Sequence, residues 1–276
     1  MSAVLEISLQ AASRRRAAWR RRIGWALMSL VALFALAGPV AVGIDPAVQT
    51  LSDSLAPPGA RYWLGADVLG RDVLARLAHA AQLSLGLALL SAVTAAVPGV
   101  LLGVLATWRG GRVERGLVML SDAVLSVPGL LLVLLFAALA PGRHWALYVG
   151  LSLSLWVEYF RVSRAASRPV LAGDAVQASR LLGFGPAYLL RRHLLPALAP
   201  VLGTLLAFSA AQAVLALAAL GFVGVGLQPP TAELGLMMIE FLPHYEEAPW
   251  LIAAPVALLM LLVLGMMLLA GDGEDQ

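Results

Sequence analysis

The charged residues with the most regular spacing lie in the stretch from Asp67 to Arg76. Asp67 and Arg71 are four positions apart, as are Asp72 and Arg76. Opposite charges at this separation share one face of a helix, so we expect ion pairs across helical turns. Such a charged face is typical either of a solvated helix or of a surface that docks another protein or forms a lid. It does not by itself indicate a reaction.

Residues that commonly carry catalysis or bind metals are scarce or scattered. The four histidines lie in four separate segments without metal-ligand spacing: His79, His144, His193 and His244. The chain has no cysteine, which excludes disulfides and thiolate chemistry. All nineteen basic residues are arginine, so a phosphate-binding loop that ends in lysine is impossible. We therefore expect no catalytic residue, no metal site and no cofactor bound by this chain.

Composition indicates that lipid is the solvent for most of the outer surface. Apolar residues make up 61% of the 276 positions and charged residues 13%, whereas soluble proteins average about 45–50% and about 25%. A chain this apolar cannot cover a water-facing surface. The net charge of +3 does not indicate nucleic-acid binding, because the arginines map to the predicted helix ends. The expected class is an all-α, multi-pass membrane protein.

Six apolar runs are long enough to cross a hydrocarbon core about 30 Å thick, although the fourth is short. They are Ile23–Ile44, Leu83–Trp108, Leu117–Ala140, Ala146–Phe160, Leu198–Gly226 and Trp250–Ala270. A cleaved secretory signal is the competing interpretation of the first run, which follows a basic segment. We favour a span, because the run exceeds the usual signal length and Asp45-Pro46 follows it instead of a cleavage site.

The distribution of arginine predicts that both termini are cytoplasmic. With six spans and a cytoplasmic N-terminus, fifteen arginines fall in cytoplasmic segments and four in external ones. The predicted order is a basic N-terminus (1–22), a transmembrane domain (23–270) and a short cytoplasmic tail (271–276). Within the domain, residues 45–82 form an external segment and residues 161–197 a cytoplasmic one.

Three residues place an ionisable or amide side chain within the predicted spans: Asp122, Glu158 and Gln212. Asp122 and Glu158 are placed near the cytoplasmic boundary, where pairing with an arginine is favoured over contact with a substrate. The arginines within reach are Arg112, Arg115 and Arg161. Gln212 lies in the middle of the fifth span, where its amide either faces a cavity or bonds a neighbouring helix. Gln212 and Asp122 are the candidates for lining a pathway.

The cytoplasmic segment from Asp174 to Pro196 predicts two short helices joined by a sharp turn. Residues 174–182 form an amphipathic helix, Gly183 to Pro186 turn the chain, and Ala187–Leu195 form a second helix that Pro196 ends. Small side chains at the turn allow a second protein to approach the backbone closely. The alternative is an ordinary amphipathic connection at the membrane surface.

This segment resembles the EAA loop of permeases from binding-protein-dependent ABC importers. Gln177-Ala178-Ser179 stands at the Glu-Ala-Ala position, Gly183 at the turn and Leu195-Pro196 at the end. The glutamine in place of glutamate argues against an ion pair with the ATPase at that point. The resemblance implies that an ATPase is contacted by Gln177, Ala178, Ser179, Gly183, Arg191, His193 and Pro196.

Three further stretches resemble the C-type permeases of dipeptide, oligopeptide and nickel importers. The first is Trp63 to Arg76, which is similar to WLGTDxxGRDxxSR with Ala66 for Thr and Ala75 for Ser. The second is Asp122 followed six positions later by Pro128. The third is residues 221–235, which are similar to LSFLGLGxQPPTPEWG. The resemblance implies an external gate or binding-protein docking surface at Trp63, Asp67, Gly70, Arg71, Asp72, Gln228, Pro229 and Glu233.

The resemblance implies a type I importer permease that forms half of a pathway in a bacterial inner membrane. The implied partners are a homologous second permease, two cytoplasmic ATPases that bind ATP and magnesium, and an extracytoplasmic solute-binding protein. Peptides and nickel or metal chelates remain open as substrates. A secondary transporter driven by an ion gradient is the alternative, and a membrane-embedded enzyme or scaffold is a further one. An inverted repeat would favour the transporter, and none is evident in the sequence.

Overall fold

The chain folds into a bundle of helices of very unequal length. The computed structural model describes the backbone of residues 2–271 and the side chains from residue 18 onward. The α-helices are α1 (Ser2–Val42), α2 (Val73–Arg109), α3 (Gly111–Leu125), α4 (Gly129–Leu139), α5 (His144–Ala172), α6 (Asp174–Leu181), α7 (Pro186–Leu189), α8 (Leu195–Phe222), α9 (Leu234–Phe241) and α10 (Pro249–Ala270). No strand occurs in this part of the chain, so the predicted all-α class is confirmed. Apart from Gly271, the predicted tail lies outside the described residues.

Four helices are long and apolar enough to cross a membrane, and a bent pair could provide a fifth span. The four are Ala18–Val42 of α1, α2, the continuous helix Pro186–Phe222 and α10; the pair is α3 with α4. The predicted fourth span lies in α5, whose 29 residues are long enough to cross but are less apolar. The count of six spans therefore stays a prediction.

The polarity of α5 reflects its position against other helices. Gly99 and Gly103 of α2 face it so closely that an added Cβ would lie 2.5 Å from the Trp156 carbonyl oxygen and 2.0 Å from Ser163 Oγ, respectively. Such small-residue contacts let membrane helices approach backbone to backbone. The Tyr159 hydroxyl of α5 lies 2.5 Å from Ser209 Oγ of α8. Ser163 and Tyr159 on this face are therefore buried against neighbouring helices.

The predicted third span, Leu117–Ala140, is not one continuous helix. Its two parts, α3 and α4, are bent by 72° at a short break. Pro128 explains the break, because proline lacks the N–H that an α-helix needs and forces the preceding residue toward extended backbone. Gly129 then begins α4.

Three predicted boundaries also need correction. Helix α2 begins at Val73, ten residues before the predicted Leu83, because Asp72 caps it. Helix α5 continues to Ala172, twelve residues past the predicted end at Phe160. Helix α8 ends at Phe222, four residues before the predicted Gly226, because the chain turns at Gly224, whose φ is +76°.

Candidate functional site

Four charged side chains form a buried network between the α1–α2 connection and α9, here called the brace (Asp67, Arg71, Arg76 and Glu240). Asp67 Oδ2 accepts hydrogen bonds from Arg71 Nε and Arg76 Nη1, each at 2.6 Å. Glu240 Oε2 accepts from Arg76 Nη2 at 2.6 Å and from Arg71 Nη2 at 3.1 Å. Arg76 is fully buried and its guanidinium also lies over the ring of Phe241. Both arginines thus share both carboxylates.

The brace differs from the predicted pairing across helical turns. Asp67 and Arg71 lie before α2, in a turn where Asp67 Oδ1 accepts the backbone N–H groups of Leu69 and Arg71. Gly70 permits this turn, because its φ is +69° and an added Cβ would lie 1.9 Å from the Thr50 carbonyl oxygen. Asp72 does not pair with Arg76 but accepts the N–H of Ala75 at the start of α2. The second carboxylate comes from Glu240, far away in the sequence.

Several residues of the predicted gate or docking surface are buried. Asp67, Arg71, Asp72 and Glu233 are all at most 5% exposed, so their side chains are not available for docking in this structure, and a role in a gate stays a prediction. The predicted residues that remain exposed are Trp63, Gln228 and Pro229.

Glu233 holds the start of α9. Its Oε2 accepts the N–H of Leu236 at 2.8 Å, whereas Oε1 is buried without a hydrogen-bond partner among the described residues. Burial raises the pKa of Glu233, and the backbone N–H groups of Gly235, Leu236 and Leu234 oppose this effect. Gly221 of α8 makes room for the carboxylate, because an added Cβ would lie 2.0 Å from Oε2.

At the other end of the bundle, residues 174–194 form a projecting turn, here called the elbow. Helix α6 (Asp174–Leu181) leads into the predicted sharp turn, where Gly183 has a φ of +80° and nothing lies within 4 Å of the position of a Cβ. Ser179 Oγ lies 3.0 Å from His193 Nε2 and also donates to the Ala175 carbonyl. This contact ties α6 to the segment that returns to the bundle.

The returning segment corrects the prediction that Pro196 ends a helix. Residues Leu190–Leu194 form a π turn that joins α7 directly to α8, and the N–H of Leu195 donates to the Leu190 carbonyl. Pro196 lies in the first turn of α8. The change from π to α pairing accommodates its missing N–H, so the elbow is rigidly continuous with a long apolar helix.

The elbow has a buried underside and an exposed tip. Its underside packs into a second, small core formed by Val104, Leu171, Val176, Leu189, Leu194 and Leu198. At the tip, Leu181 is 89% exposed and Leu182 76%, and the stacked rings of Phe184 and Tyr188 are also exposed. The predicted contact residues Gln177, Ala178, Gly183, Arg191 and Pro196 are exposed, Ser179 is buried and His193 is half-buried.

A polar cavity lies where α3 breaks into α4. It has a volume of about 220 Å³ and its polar lining comes from Ser154 and Glu158 of α5 and Gln212 of α8. The predicted pairing of Glu158 with an arginine is wrong for the described residues, because Glu158 Oε2 is buried without a partner. Arg161 instead donates to Asp122 Oδ1 at 2.6 Å, and both of those side chains are about half exposed. Of the two predicted pathway residues, Gln212 thus lines this cavity and Asp122 does not.

The comparisons with known proteins agree with this architecture. Residues 99–271 match the family model described as "Binding-protein-dependent transport system inner membrane component". The chain belongs to this family. It is an ABC importer permease of the dipeptide, oligopeptide and nickel group.

Three relatives illustrate how far the similarity to this permease extends. The di/tripeptide transport system permease protein DppC of Pseudomonas aeruginosa is 39% identical over 91% of the chain and 84% of that protein. The oligopeptide permease OppC of Bacillus subtilis is 27% identical over 91% and 82%. The nickel permease NikC of Escherichia coli K12 is 29% identical over 80% and 79%.

A solved structure supports the fold of the permease. An inward-facing crystal form of the MetNI methionine ABC transporter matches with a TM-score of 0.52 and 23% identity. The match covers 66% of this chain and 86% of that one.

Three residues of the permease's site were not predicted as site residues. Arg76 and Glu240 complete the brace, and Glu158 carries the charge in the cavity. The position of Arg76 at the end of the WLG-type stretch was an available signal. The sequence contained no such signal for Glu240, because its arginine partners lie more than 160 positions away. Glu158 was interpreted as pairing with an arginine near the membrane boundary, because the predicted fourth span ended two residues after it at Phe160.

Proposed function

We propose that this permease forms one half of a transmembrane pathway in a bacterial inner membrane and receives force from ATPase subunits at the elbow. The observation that carries the proposal is the exposed apolar tip of the elbow, at Leu181, Leu182, Phe184 and Tyr188. Apolar patches rimmed by charge are typical of protein-protein contacts. Arg180, Arg191 and Arg192 supply that rim.

The elbow has the mechanical connections that such a role needs. Its π turn is continuous with α8, and its underside packs on residues of α2 and α5. A load on the tip is therefore transmitted to the helices that line the polar cavity. ATP and magnesium belong to the two ATPases in this proposal and not to the permease.

The arrangement across the membrane follows from the arginine distribution. We place the elbow and both termini in the cytoplasm and the brace outside, with six spans including α5. A homologous second permease completes the pathway, and an external binding protein docks on the exposed residues Trp63, Gln228 and Pro229.

Peptides are the favoured cargo. The P. aeruginosa relative is named a di/tripeptide permease and is 39% identical, whereas the nickel permease of E. coli is 29% identical over a shorter stretch. Nickel or a metal chelate is the second possibility, and the ligand of the external binding protein decides between them.

The test is uptake by the assembled complex in proteoliposomes. With binding protein and a radiolabelled dipeptide, we expect uptake that requires ATP hydrolysis and does not respond to an imposed proton or sodium gradient. Replacing Leu181 and Leu182 with aspartate should prevent copurification of the ATPases, whereas replacing the exposed Leu36 of α1 with serine should not. Uptake driven by the gradient alone would contradict the proposal and favour a secondary transporter.

A further inference from the structure

The polar cavity beside the α3–α4 break contains an ionisable group without a partner. Glu158 is the fifteenth of the 29 residues of α5, which places it about 21 Å from the start of that helix at 1.5 Å per residue. It therefore lies at the midpoint of α5. Ionisable residues within membrane helices are rare and usually mark a pathway or bind a partner group.

None of the side chains that line the cavity can neutralise Glu158. The apolar lining comes from α3, α4 and α5, and the other polar groups are Ser154 and Gln212. The nearby Arg161 donates to Asp122, and Arg164 donates to Glu114. The Glu158 carboxyl is thus the only ionisable group that lines this cavity among the described residues.

The cavity continues along the bundle. An adjoining cavity of about 150 Å³ shares Gly129, Ser154, Leu155 and Gln212 with the first. Pockets that enclose a whole small molecule usually measure about 300–1,000 Å³. Each of these spaces is smaller, so this chain can hold only one end of a peptide-sized ligand, such as a terminal group with its first side chain.

We propose that Glu158, with Ser154 and Gln212, forms a subsite that binds a protonated amine of the passing substrate. A carboxylate accepts hydrogen bonds from an ammonium group, and the amide oxygen of Gln212 and the hydroxyl of Ser154 supply further acceptors. The subsite rests on the proposed function, because it assigns to the pathway the recognition of the free amino end of a peptide.

The chain contains no cysteine, so a single engineered thiol can report the charge of the cavity without any assumption about transport. In Ser154→Cys, the thiol lies one helical turn from Glu158 and on the same face. The assembled complex is treated with a quaternary-ammonium methanethiosulfonate or with its sulfonate counterpart. The ratio of the two reaction rates is compared with the ratio for Val48→Cys, which is exposed outside the bundle.

We expect the ratio of the cationic to the anionic reaction rate to be higher for Ser154→Cys than for Val48→Cys. Adding Glu158→Gln to the Ser154→Cys chain should lower that ratio at least about fivefold. A thiol that neither reagent reaches, or a ratio that Glu158→Gln leaves unchanged, would overturn the subsite. Both of those outcomes are independent of whether the protein imports anything.

A second measurement connects the subsite with transport. Uptake of a dipeptide with a free amino group is compared with uptake of its N-acetylated form, at saturating binding protein. Glu158→Gln should slow the free-amino peptide about tenfold, which is a modest value for losing a hydrogen bond to a charged group, and should leave the acetylated peptide unchanged. The exposed Glu247→Gln is the matched control. Equal slowing of both peptides would reject amine recognition, whereas ATP-independent uptake would reject the proposed function instead.

Discussion

The brace and the elbow use arginine in opposite ways at opposite ends of the permease. In the brace, two arginines that are at most 5% exposed share two carboxylates. In the elbow, Arg180, Arg191 and Arg192 are exposed and have no ion pair among the described residues. Arg180 stacks on Trp108 instead. Every charge of the brace is paired among the described residues, although Arg76 Nε is buried without a hydrogen-bond partner there. The elbow instead presents charge and apolar surface that the described residues do not cover.

This difference indicates which end is fixed and which end receives a partner. A buried network whose members are all paired holds one geometry, because removing any member leaves an uncompensated buried charge. Exposed leucines beside unpaired arginines fit association with another protein. We therefore expect mutations in the brace to reduce stability, and mutations in the elbow to reduce coupling at nearly constant stability.

The largest effect is expected in the brace. Asp67→Asn leaves two buried guanidinium groups with half their acceptors, so the permease should lose about 3–5 kcal/mol of unfolding free energy. Thermal unfolding of the purified complex in detergent measures this loss.

Arg61→Gln is the matched control for the brace. Arg61 donates to Asp53 at 2.6 Å, but its side chain is 70% exposed, and exposed ion pairs contribute about 0–1 kcal/mol. If Asp67→Asn and Arg61→Gln destabilise the complex equally, burial does not distinguish the brace from an ordinary surface pair.

The next largest effect is expected at the turn of the elbow. Gly183→Leu places a bulky side chain at a left-handed backbone position on the exposed tip. We expect substrate-stimulated ATP hydrolysis to fall at least about fivefold, the lower end for coupling between sites. The unfolding free energy should fall only by the strain of a left-handed side chain, about 1–2 kcal/mol, since no neighbour is displaced.

Gly185→Ala tests whether the position or the mere loss of glycine matters. Gly185 is equally free of neighbours but has an ordinary φ of −76°, so alanine fits there and coupling should be normal. Full stimulation in Gly183→Leu would contradict a role of the turn in coupling.

A smaller effect is expected inside the elbow. Ser179→Ala removes the hydroxyl next to His193 Nε2, which should loosen the elbow by about 0.5–1.5 kcal/mol, the usual contribution of one hydrogen bond. Hydrogen exchange over residues 186–194 should become faster. Ser126→Ala removes a hydroxyl that bonds only to the backbone of its own turn and should leave that segment unchanged. Equal protection in both variants would show that the contact does not hold the elbow together.

The sequence predicted the elbow better than the brace. The reason is that the elbow depends on residues close together in the sequence, whereas the brace joins residues far apart in it. The elbow's helix and turn depend on local signals, namely the small residues of α6 and the glycines and proline at 183–186. The brace needs Glu240, whose pairing with Arg71 and Arg76 is decided by how α9 packs against α2. Neither hydropathy nor spacing contains that information.

The break at Pro128 and the length of α5 show a second limit. Hydropathy placed residues 117–140 in one span, because it measures composition and does not register a change of direction. It ended the fourth span at Phe160, because the arginines beyond that residue resemble a loop. In the structure Arg164 bonds to Glu114 of α3, so a neighbouring helix satisfies this charge while α5 continues.

The smallest effect is expected in the pH dependence of stability, which Glu233 at the start of α9 should influence. Burial raises the pKa of Glu233 above its ordinary value near 4.5. The folded protein therefore holds this proton more tightly than the unfolded chain does. The stability that protonation contributes is complete at pH values below the unfolded pKa and is lost as pH rises through the folded pKa.

Glu233→Gln should remove this loss, because the amide keeps the shape and does not ionise. The melting temperature of the complex should then fall less steeply between pH 4.5 and neutrality than in the unmodified permease, while Glu247→Gln on the exposed loop should leave the slope unchanged. A steeper fall in Glu233→Gln would mean that the carboxylate is stabilised as an anion by the N–H groups of α9. This end of the molecule would then stabilise a buried carboxylate through backbone N–H groups as well as through the ion pairs of the brace.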